Sequence, residues 1–217
     1  MRGVRVVLVG GTSNAGKSTV ARVVAERLGF AYLSTDRLAR HPGRPWRTPE
    51  REVPAHVAEH YGSLTLDELM TSVLDHYARL WPRIEELIAD HAAGPGAEAG
   101  PGAEAGLVLE GSALWPVNVA ELKAPHTAAV WLTADVALLR DRVRDAGRYA
   151  EATGAERHLM DQFLARTVRY QALMVDAVDR LGLDRIDVGG HRSVGELADA
   201  VLATAGAQRS IGRSSAG

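Results

Sequence analysis

The chain has 217 residues, no cysteine and a formal net charge of −2 at pH 7. This length favours a single domain with ample chain to bury a core. The balanced charge gives no general attraction to nucleic acid or to an anionic membrane, so we expect neither as a partner. Without cysteine, a disulfide framework, a thiolate zinc site and a cysteine nucleophile are excluded.

The N-terminal segment predicts a buried strand, a glycine-rich loop and a helix, in that order. Residues 4–9 are mostly β-branched and apolar, and this run is too short for a membrane span or a signal sequence, so we expect a cytoplasmic protein. Residues 11–18 read Gly-Thr-Ser-Asn-Ala-Gly-Lys-Ser and match G-x-x-x-x-G-K-[ST] at every fixed position. Apolar residues then recur at helical spacing from Val20 until Gly29.

This order of elements is the one that phosphate binding requires. Glycines let backbone N–H groups close around an anion, and the helix dipole adds partial positive charge there. Lys17 would reach the β- and γ-phosphates, and the Ser18 hydroxyl would bind Mg²⁺. Lys17 and Lys123 are the only lysines among 25 lysine and arginine residues, which indicates that a compact charge is needed at position 17. We therefore assign the nucleotide phosphates to Gly11, Thr12, Ser13, Asn14, Ala15, Gly16, Lys17, Ser18 and Thr19.

A second strand is predicted from Phe30 to Thr35, and Asp36 follows at its end. Ligands of parallel α/β sheets bind at the carboxyl ends of the strands, so Asp36 is a candidate catalytic base and acceptor-binding group. An N-cap role for Asp36 is equally consistent with the sequence. Positive charge suited to an anionic acceptor follows in an irregular segment, although a solvated loop would have the same composition. We single out Arg40 from its arginines, which are Arg37, Arg40, Arg44, Arg47 and Arg51.

The middle of the chain predicts helices and a low-complexity loop. Helices are expected at about 50–61 and 66–92, with a kink or break at Pro82, and we assign 37–91 to a helical acceptor-binding region. Residues 94–105 repeat Gly-Pro-Gly-Ala-Glu-Ala twice, so 93–106 is predicted to be a flexible surface loop.

The C-terminal half predicts further strands that alternate with helices. Strands are expected at 107–109, 128–132 and 185–188, and a helix at about 194–205 precedes a disordered tail at 207–217. Alternating strands and helices favour an α/β fold, with a five-stranded parallel sheet covered by helices on both faces. We assign residues 1–206 to one domain.

Glu110 ends the third strand at the same edge as Asp36. A carboxylate there is the ligand that Mg²⁺ needs opposite Ser18, so we assign Glu110 to the metal and acceptor sites; capping of the next turn is the alternative. Trp115 follows closely and is also assigned to acceptor binding.

Arginines are dense between the fourth and fifth strands. Mobile cations that close over a transferring phosphoryl group stabilise its charge and exclude water, so 140–158 is predicted to be an arginine-rich lid. Many of these arginines would instead pair with acidic residues on helix surfaces.

The phosphate loop, the acidic strand ends and this arginine-rich region resemble small P-loop kinases of the shikimate, gluconate and adenylate kinase group. That group carries an arginine four residues before a tyrosine after its lid, and Arg166 and Tyr170 have this spacing. The resemblance implies that Arg148 and Arg157 are lid arginines, with Arg157 on the nucleotide, and that Arg166 lies nearest the transferred phosphate. It also implies that residues 186–190 border an adenine, and hence that the nucleotide is ATP.

Two closer patterns are similar to parts of this chain. The phosphate loop together with Leu-Glu-Gly-Ser-Ala-Leu-Trp-Pro at 109–116 is similar to 2-phosphoglycerate-kinase-like ATP-binding proteins, and Asp36 resembles the strand-end aspartate of chloramphenicol phosphotransferase. The Asp-x-Asp pair of shikimate kinase and the paired acidic residues of an adenylate kinase lid are missing. Shikimate and AMP are therefore poor candidates for the acceptor.

These features predict a P-loop NTPase fold and an ATP- and Mg²⁺-dependent phosphotransferase, with catalytic roles for Lys17, Asp36, Arg148 and Arg166. The acceptor would be a hydroxyl of a small molecule, such as an anionic metabolite or an antibiotic. The alternative is a regulatory nucleotide-binding protein that hydrolyses its nucleotide slowly; the chain has no Asn-Lys-x-Asp motif for reading guanine. A homodimer is left open, because several tryptophans fit either a core or an interface.

Overall fold

The computed structural model describes residues 3–39, 43–48, 51–93, 106–190 and 192–211, with side chains described as far as Gln208. Arg40 and most of the predicted 93–106 loop lie outside the described residues. Five strands form one sheet: β1 (Val6–Gly11), β2 (Ala31–Ser34), β3 (Leu107–Glu110), β4 (Thr127–Thr133) and β5 (Arg185–Asp187). Every pairing is parallel, in the order β2-β3-β1-β4-β5, which confirms the predicted five-stranded parallel sheet.

Helices follow the strands and cover both faces of the sheet. They are α1 (Lys17–Leu28), α2 (Ala55–Ser63), α3 (Leu66–Ala93), α4 (Pro116–Ala120), α5 (Val136–Ala146), α6 (Gly154–Arg180) and α7 (Val194–Ile211). Since β1 lies at the centre of the sheet, all six of its residues are buried, and this explains why its sequence is apolar without alternation. Within the described part of the chain, no helix combines the length and apolar character needed to cross a bilayer.

The apolar core has one layer on each face of the sheet and a third cluster beside it. On one face, α1 and α7 bury residues such as Val24 and Val201 against the strands. On the other, α3 and α6 bury residues such as Ile84 and Met174. The third cluster joins Trp46 and α2 to α5 and α6, and so attaches the irregular segment after β2 to the body of the fold.

The boundaries of three predicted segments are corrected by the structure. Helix α2 begins at Ala55, because Pro54 takes the N-cap position in an extended conformation. A kink or a break was predicted at Pro82, and there is no break: α3 is continuous through this exposed proline, whose missing N–H removes the helical donor to the carbonyl of Ala78. The predicted disordered tail starts too early, because α7 runs to Ile211 and Gln208 bonds the backbone of β4.

Candidate active site

The phosphate-loop motif forms a tight turn between β1 and α1. Gly11 has a φ of 139°, and a Cβ there would lie 2.5 Å from the carbonyl oxygen of Leu132. Gly16 has a φ of 92° and occupies the N-cap of α1 without a side-chain cap, so the first N–H groups of the helix stay open. Asn14, a residue type that tolerates the left-handed region, has a φ of 61°. Open N–H groups at a helix N-terminus form an anion-binding site.

Lys17 is held inside this turn and is only 7% exposed. Its Nζ donates a 2.7 Å hydrogen bond to the carbonyl oxygen of Thr12. Burial lowers the pKa of Lys17, while the carboxylates of Glu110 and Asp36 act in the opposite direction. A buried ammonium group is costly when no negative charge lies close to it. A bound phosphate would supply that charge.

Glu110 lies beside this lysine and is 2% exposed. Its Oε1 accepts two hydrogen bonds, at 2.9 Å from the Ser18 hydroxyl and at 3.0 Å from the Tyr32 hydroxyl. Burial and the Glu110 charge raise the pKa of Tyr32, so this phenol keeps its proton at neutral pH. Ser18 and Glu110 were predicted from the sequence and Tyr32 was not, because a strand pattern does not distinguish a tyrosine whose hydroxyl reaches a buried carboxylate on the next strand.

The donor set fits a Mg²⁺–nucleotide complex. A buried carboxylate and a serine hydroxyl lie in contact beside the phosphate loop. Mg²⁺ prefers hard oxygen ligands of this kind, together with phosphate oxygens. Ser18 can donate its proton to Glu110 and still offer a lone pair to a cation. The predicted metal ligands, Ser18 and Glu110, are therefore adjacent in the structure.

A cavity of about 750 Å³ opens over the phosphate loop and both acidic strand ends. Asp36 lines it from the turn Thr35–Arg37 that follows β2. The N-cap of that turn is Ser34, so capping does not explain Asp36. Among the described residues no side chain pairs with the Asp36 carboxylate, whose charge reaches Lys17 and Tyr77. The structure thus brings Lys17, Ser18, Glu110 and Asp36 to one cavity.

Tyr77 also lines this cavity, from α3. Burial raises its pKa to about 12, against the opposing charge of Arg166. The phenol therefore stays a hydrogen-bond donor at neutral pH.

Among the described residues of the irregular segment, two arginines line the cavity. They are Arg44 and Arg51; the predicted Arg40 lies outside the described residues. Arg44 extends over the ring of the buried Trp46, and its charge is close enough to Lys17 to lower the pKa of that lysine. Arg51 donates to the carbonyl oxygen of Arg44 at 3.3 Å.

The nucleotide side of the cavity contains residues that were not singled out from the sequence. Arg142 on α5 donates to the carbonyl oxygen of Asn14 at 3.0 Å and lines the cavity. Arg192 lines it too, after β5, together with the apolar Val194 and Leu197. These last residues follow the segment that resembles an adenine-bordering loop.

The two predicted lid arginines do not reach the cavity in this structure. Arg148 has a φ of 51°, and its exposed guanidinium pairs with Glu151 at 2.6 Å. Arg157 donates to the carbonyl oxygens of Tyr149 and Ala150, both at 3.0 Å. Their contact with phosphates stays a prediction that requires a rearrangement of residues 147–153.

Neither Arg166 nor Trp115 lines the cavity. Arg166 is 3% exposed; it donates to the Tyr61 hydroxyl at 2.8 Å and lies 4.8 Å from the centre of the Phe163 ring, which itself lines the cavity. Among the described residues no carboxylate pairs with it. Trp115 packs against Tyr170 in the apolar cluster under the sheet and does not line the cavity.

The fold is that of solved P-loop small-molecule kinases. The chain is similar to a gluconokinase from Sinorhizobium meliloti 1021, with a TM-score of 0.55 and 19% identity over 99% of both chains. It is also similar to a sugar kinase from Janibacter sp. HTCC2649, with a TM-score of 0.52 and 20% identity over 93% of this chain and 94% of that one. At such identities the likeness shows the fold alone. The sequence matches no protein-family model and no curated protein.

Proposed function

We propose that this protein is an ATP- and Mg²⁺-dependent phosphotransferase that moves the γ-phosphoryl group to a hydroxyl of a small molecule. The observation that carries the proposal is the convergence of the phosphate loop, Lys17, Glu110 and Asp36 on one cavity. A cavity of about 750 Å³ has room for a nucleotide and a small acceptor together. A protein that only bound or hydrolysed nucleotide would have no need of a second carboxylate facing an acceptor.

The chain's own residues supply binding, orientation and proton transfer. The loop N–H groups and Lys17 would bind the β- and γ-phosphates, and Arg142 braces the loop through Asn14. When bound, Mg²⁺ would neutralise charge on the phosphate oxygens, with Ser18 and Glu110 as its protein ligands. Asp36 would orient the acceptor hydroxyl and accept its proton. Catalysis would then be mainly positioning and electrostatics.

The acceptor side of the cavity suits a molecule that also carries an anionic group. Arg44 and Arg51 add two guanidinium groups to the cavity that Asp36 lines, and among the described residues neither pairs with a carboxylate. Arginine forks bind carboxylate and phosphate oxygens in pairs. We therefore include hydroxylated carboxylic acids and sugar phosphates among the candidate acceptors.

The proposal is tested by release of ADP from Mg²⁺·ATP in the presence of hydroxylated acids, sugars, sugar phosphates, nucleosides and antibiotics. We expect release that depends on one class of acceptor and disappears in Lys17→Met. Asp36→Asn should reduce kcat about a hundredfold or more at nearly unchanged ATP affinity, because a general base contributes on that order. Release that no acceptor stimulates would reject the phosphotransferase and favour slow hydrolysis.

The anionic acceptor group is tested with Arg44→Gln and Arg51→Gln. Each should raise KM for a charged acceptor by about tenfold while leaving KM for a neutral analogue within about twofold, since charge-assisted hydrogen bonds contribute on the order of 1.5–3 kcal/mol. Arg47→Gln is the matched control, because Arg47 belongs to the same segment but points to Glu156 at 3.6 Å, away from the cavity. Equal effects of all three substitutions would contradict the assignment.

A further inference from the structure

We propose that Tyr32 is a positioning residue for the Mg²⁺ site, which it controls by fixing the orientation of the Glu110 carboxylate. The inference rests on the proposed function in one respect, namely that a Mg²⁺–nucleotide complex binds at the phosphate loop. Tyr32 itself does not line the cavity, so it acts through Glu110 and not on the ligand directly.

Strand register explains why Tyr32 can reach Glu110. In the parallel pairing of β2 with β3, Tyr32 lies opposite Val108, and Glu110 is two residues further along the same face. Neighbours at this diagonal are within reach of a long aromatic side chain. The Tyr32 hydroxyl accordingly donates to Glu110 Oε1 at 3.0 Å.

The two oxygens of Glu110 have different surroundings. Oε1 accepts both the Tyr32 and the Ser18 hydroxyls, at 3.0 and 2.9 Å. Within the described part of the chain no hydrogen bond reaches Oε2, and Glu110 lines the cavity. Two donors on one oxygen hold the carboxylate in one orientation and leave the other oxygen for a hydrated cation.

Arg22 holds the tyrosine from the other side. Its guanidinium carbon lies 4.9 Å from the centre of the Tyr32 ring. Arg22 is in the same helix as Ser18, one turn further on, so α1 supplies both the metal-ligand hydroxyl and the cation that braces Tyr32. Tyr32 therefore contacts β3 through Glu110 and α1 through Arg22, and both contacts favour the orientation in which its hydroxyl donates to Glu110.

Loss of this hydroxyl should weaken Mg²⁺ binding without weakening nucleotide binding as such. Partners that orient a metal ligand typically change metal affinity by about 10–100-fold when they are removed. We expect the lower end for Tyr32→Phe, because Ser18 still donates to the same oxygen. The affinity for nucleotide in the absence of Mg²⁺ depends on the loop and Lys17, and should not change.

The test measures equilibrium binding of a fluorescent N-methylanthraniloyl derivative of ATP, once with excess EDTA and once with saturating Mg²⁺. The dissociation constant measured with EDTA, divided by the one measured with Mg²⁺, gives the coupling of Mg²⁺ to nucleotide. We expect this ratio to fall by about tenfold in Tyr32→Phe, with the EDTA value unchanged. Arg180→Gln is the control, because Arg180 also donates to a carboxylate, that of Asp176 at 3.0 Å, and does not line the cavity.

A double-mutant cycle shows whether Tyr32 acts through Glu110. In a Glu110→Gln background, where the coupling is already lost, Tyr32→Phe should have no further effect. An unchanged ratio in Tyr32→Phe would overturn the inference, as would an equal loss of affinity with and without Mg²⁺. Binding of nucleotide without transfer to any acceptor would reject the proposed function and leave this inference standing.

Discussion

Gly111 allows the two carboxylates of the site to approach each other. It follows Glu110 directly, has a φ of 157°, and a Cβ there would lie 1.7 Å from Oγ1 of Thr35, the residue before Asp36. The end of β3 and the turn after β2 therefore meet only because residue 111 has no side chain. Gly111 is thus needed for the positions of both Glu110 and Asp36, although it has no side chain of its own.

Gly111→Ala should lower the free energy of unfolding by about 2 kcal/mol or more, because the new methyl group overlaps Thr35 and the backbone would have to move. The same movement would displace Asp36 and reduce kcat. Urea unfolding measures the first effect, and acceptor-dependent turnover the second.

Gly154→Ala is the control for this substitution. Nothing lies within 4 Å of a Cβ at position 154, where α6 begins, so alanine should fit there. If the two alanine variants were equally stable, the close approach of Thr35 to Gly111 would be contradicted.

Helix α3 illustrates how packing overrides a local signal. Pro82 removes one backbone hydrogen bond, yet the helix continues because its buried face, including Leu80, Ile84 and Ile88, packs against the sheet on both sides of the proline. A sequence pattern shows the proline but not the surface that holds the helix together around it. This is why a kink or a break was predicted and a continuous helix is found.

Pro82→Ala should therefore raise the free energy of unfolding by about 1–3 kcal/mol, since alanine restores the helical hydrogen bond and fits the backbone without a clash. Pro82 is exposed, so no core contact is lost. The control is Glu85→Ala on the same exposed surface, which should change stability by no more than about 0.5 kcal/mol. A destabilised Pro82→Ala variant would show that the proline fits the helix better than alanine does.

A site residue of this protein could be predicted from the sequence when the residues next to it in the chain define its position. The phosphate loop, Asp36 and Glu110 could be found from sequence because each is defined by its place at the end of a strand. The arginines on the cavity could not, because the choice of Arg44 and Arg51 depends on Trp46 packing edge-on against Phe163, 5.1 Å away in another part of the chain. Composition predicts that arginines are present; only tertiary packing decides which of them face the ligand.

Across the whole molecule, α6 connects the acceptor side to the phosphate loop. The Thr12 side chain donates to the carbonyl oxygen of Thr167 at 3.0 Å, and the neighbouring Arg166 donates to Tyr61 on α2. The phosphate loop and α2 thus both contact α6, through Thr167 and Arg166. In the proposed phosphotransferase, the cavity over the phosphate loop would place a donor phosphate and an acceptor hydroxyl in contact.

The most direct measurement is phosphorus NMR of reaction mixtures that contain the protein, Mg²⁺·ATP and an acceptor identified by ADP release. We predict a new phosphate-ester signal that grows in equal amount with ADP, requires the acceptor and is missing with Lys17→Met. ADP accompanied only by inorganic phosphate, at the same rate with and without acceptor, would contradict phosphoryl transfer to a small molecule.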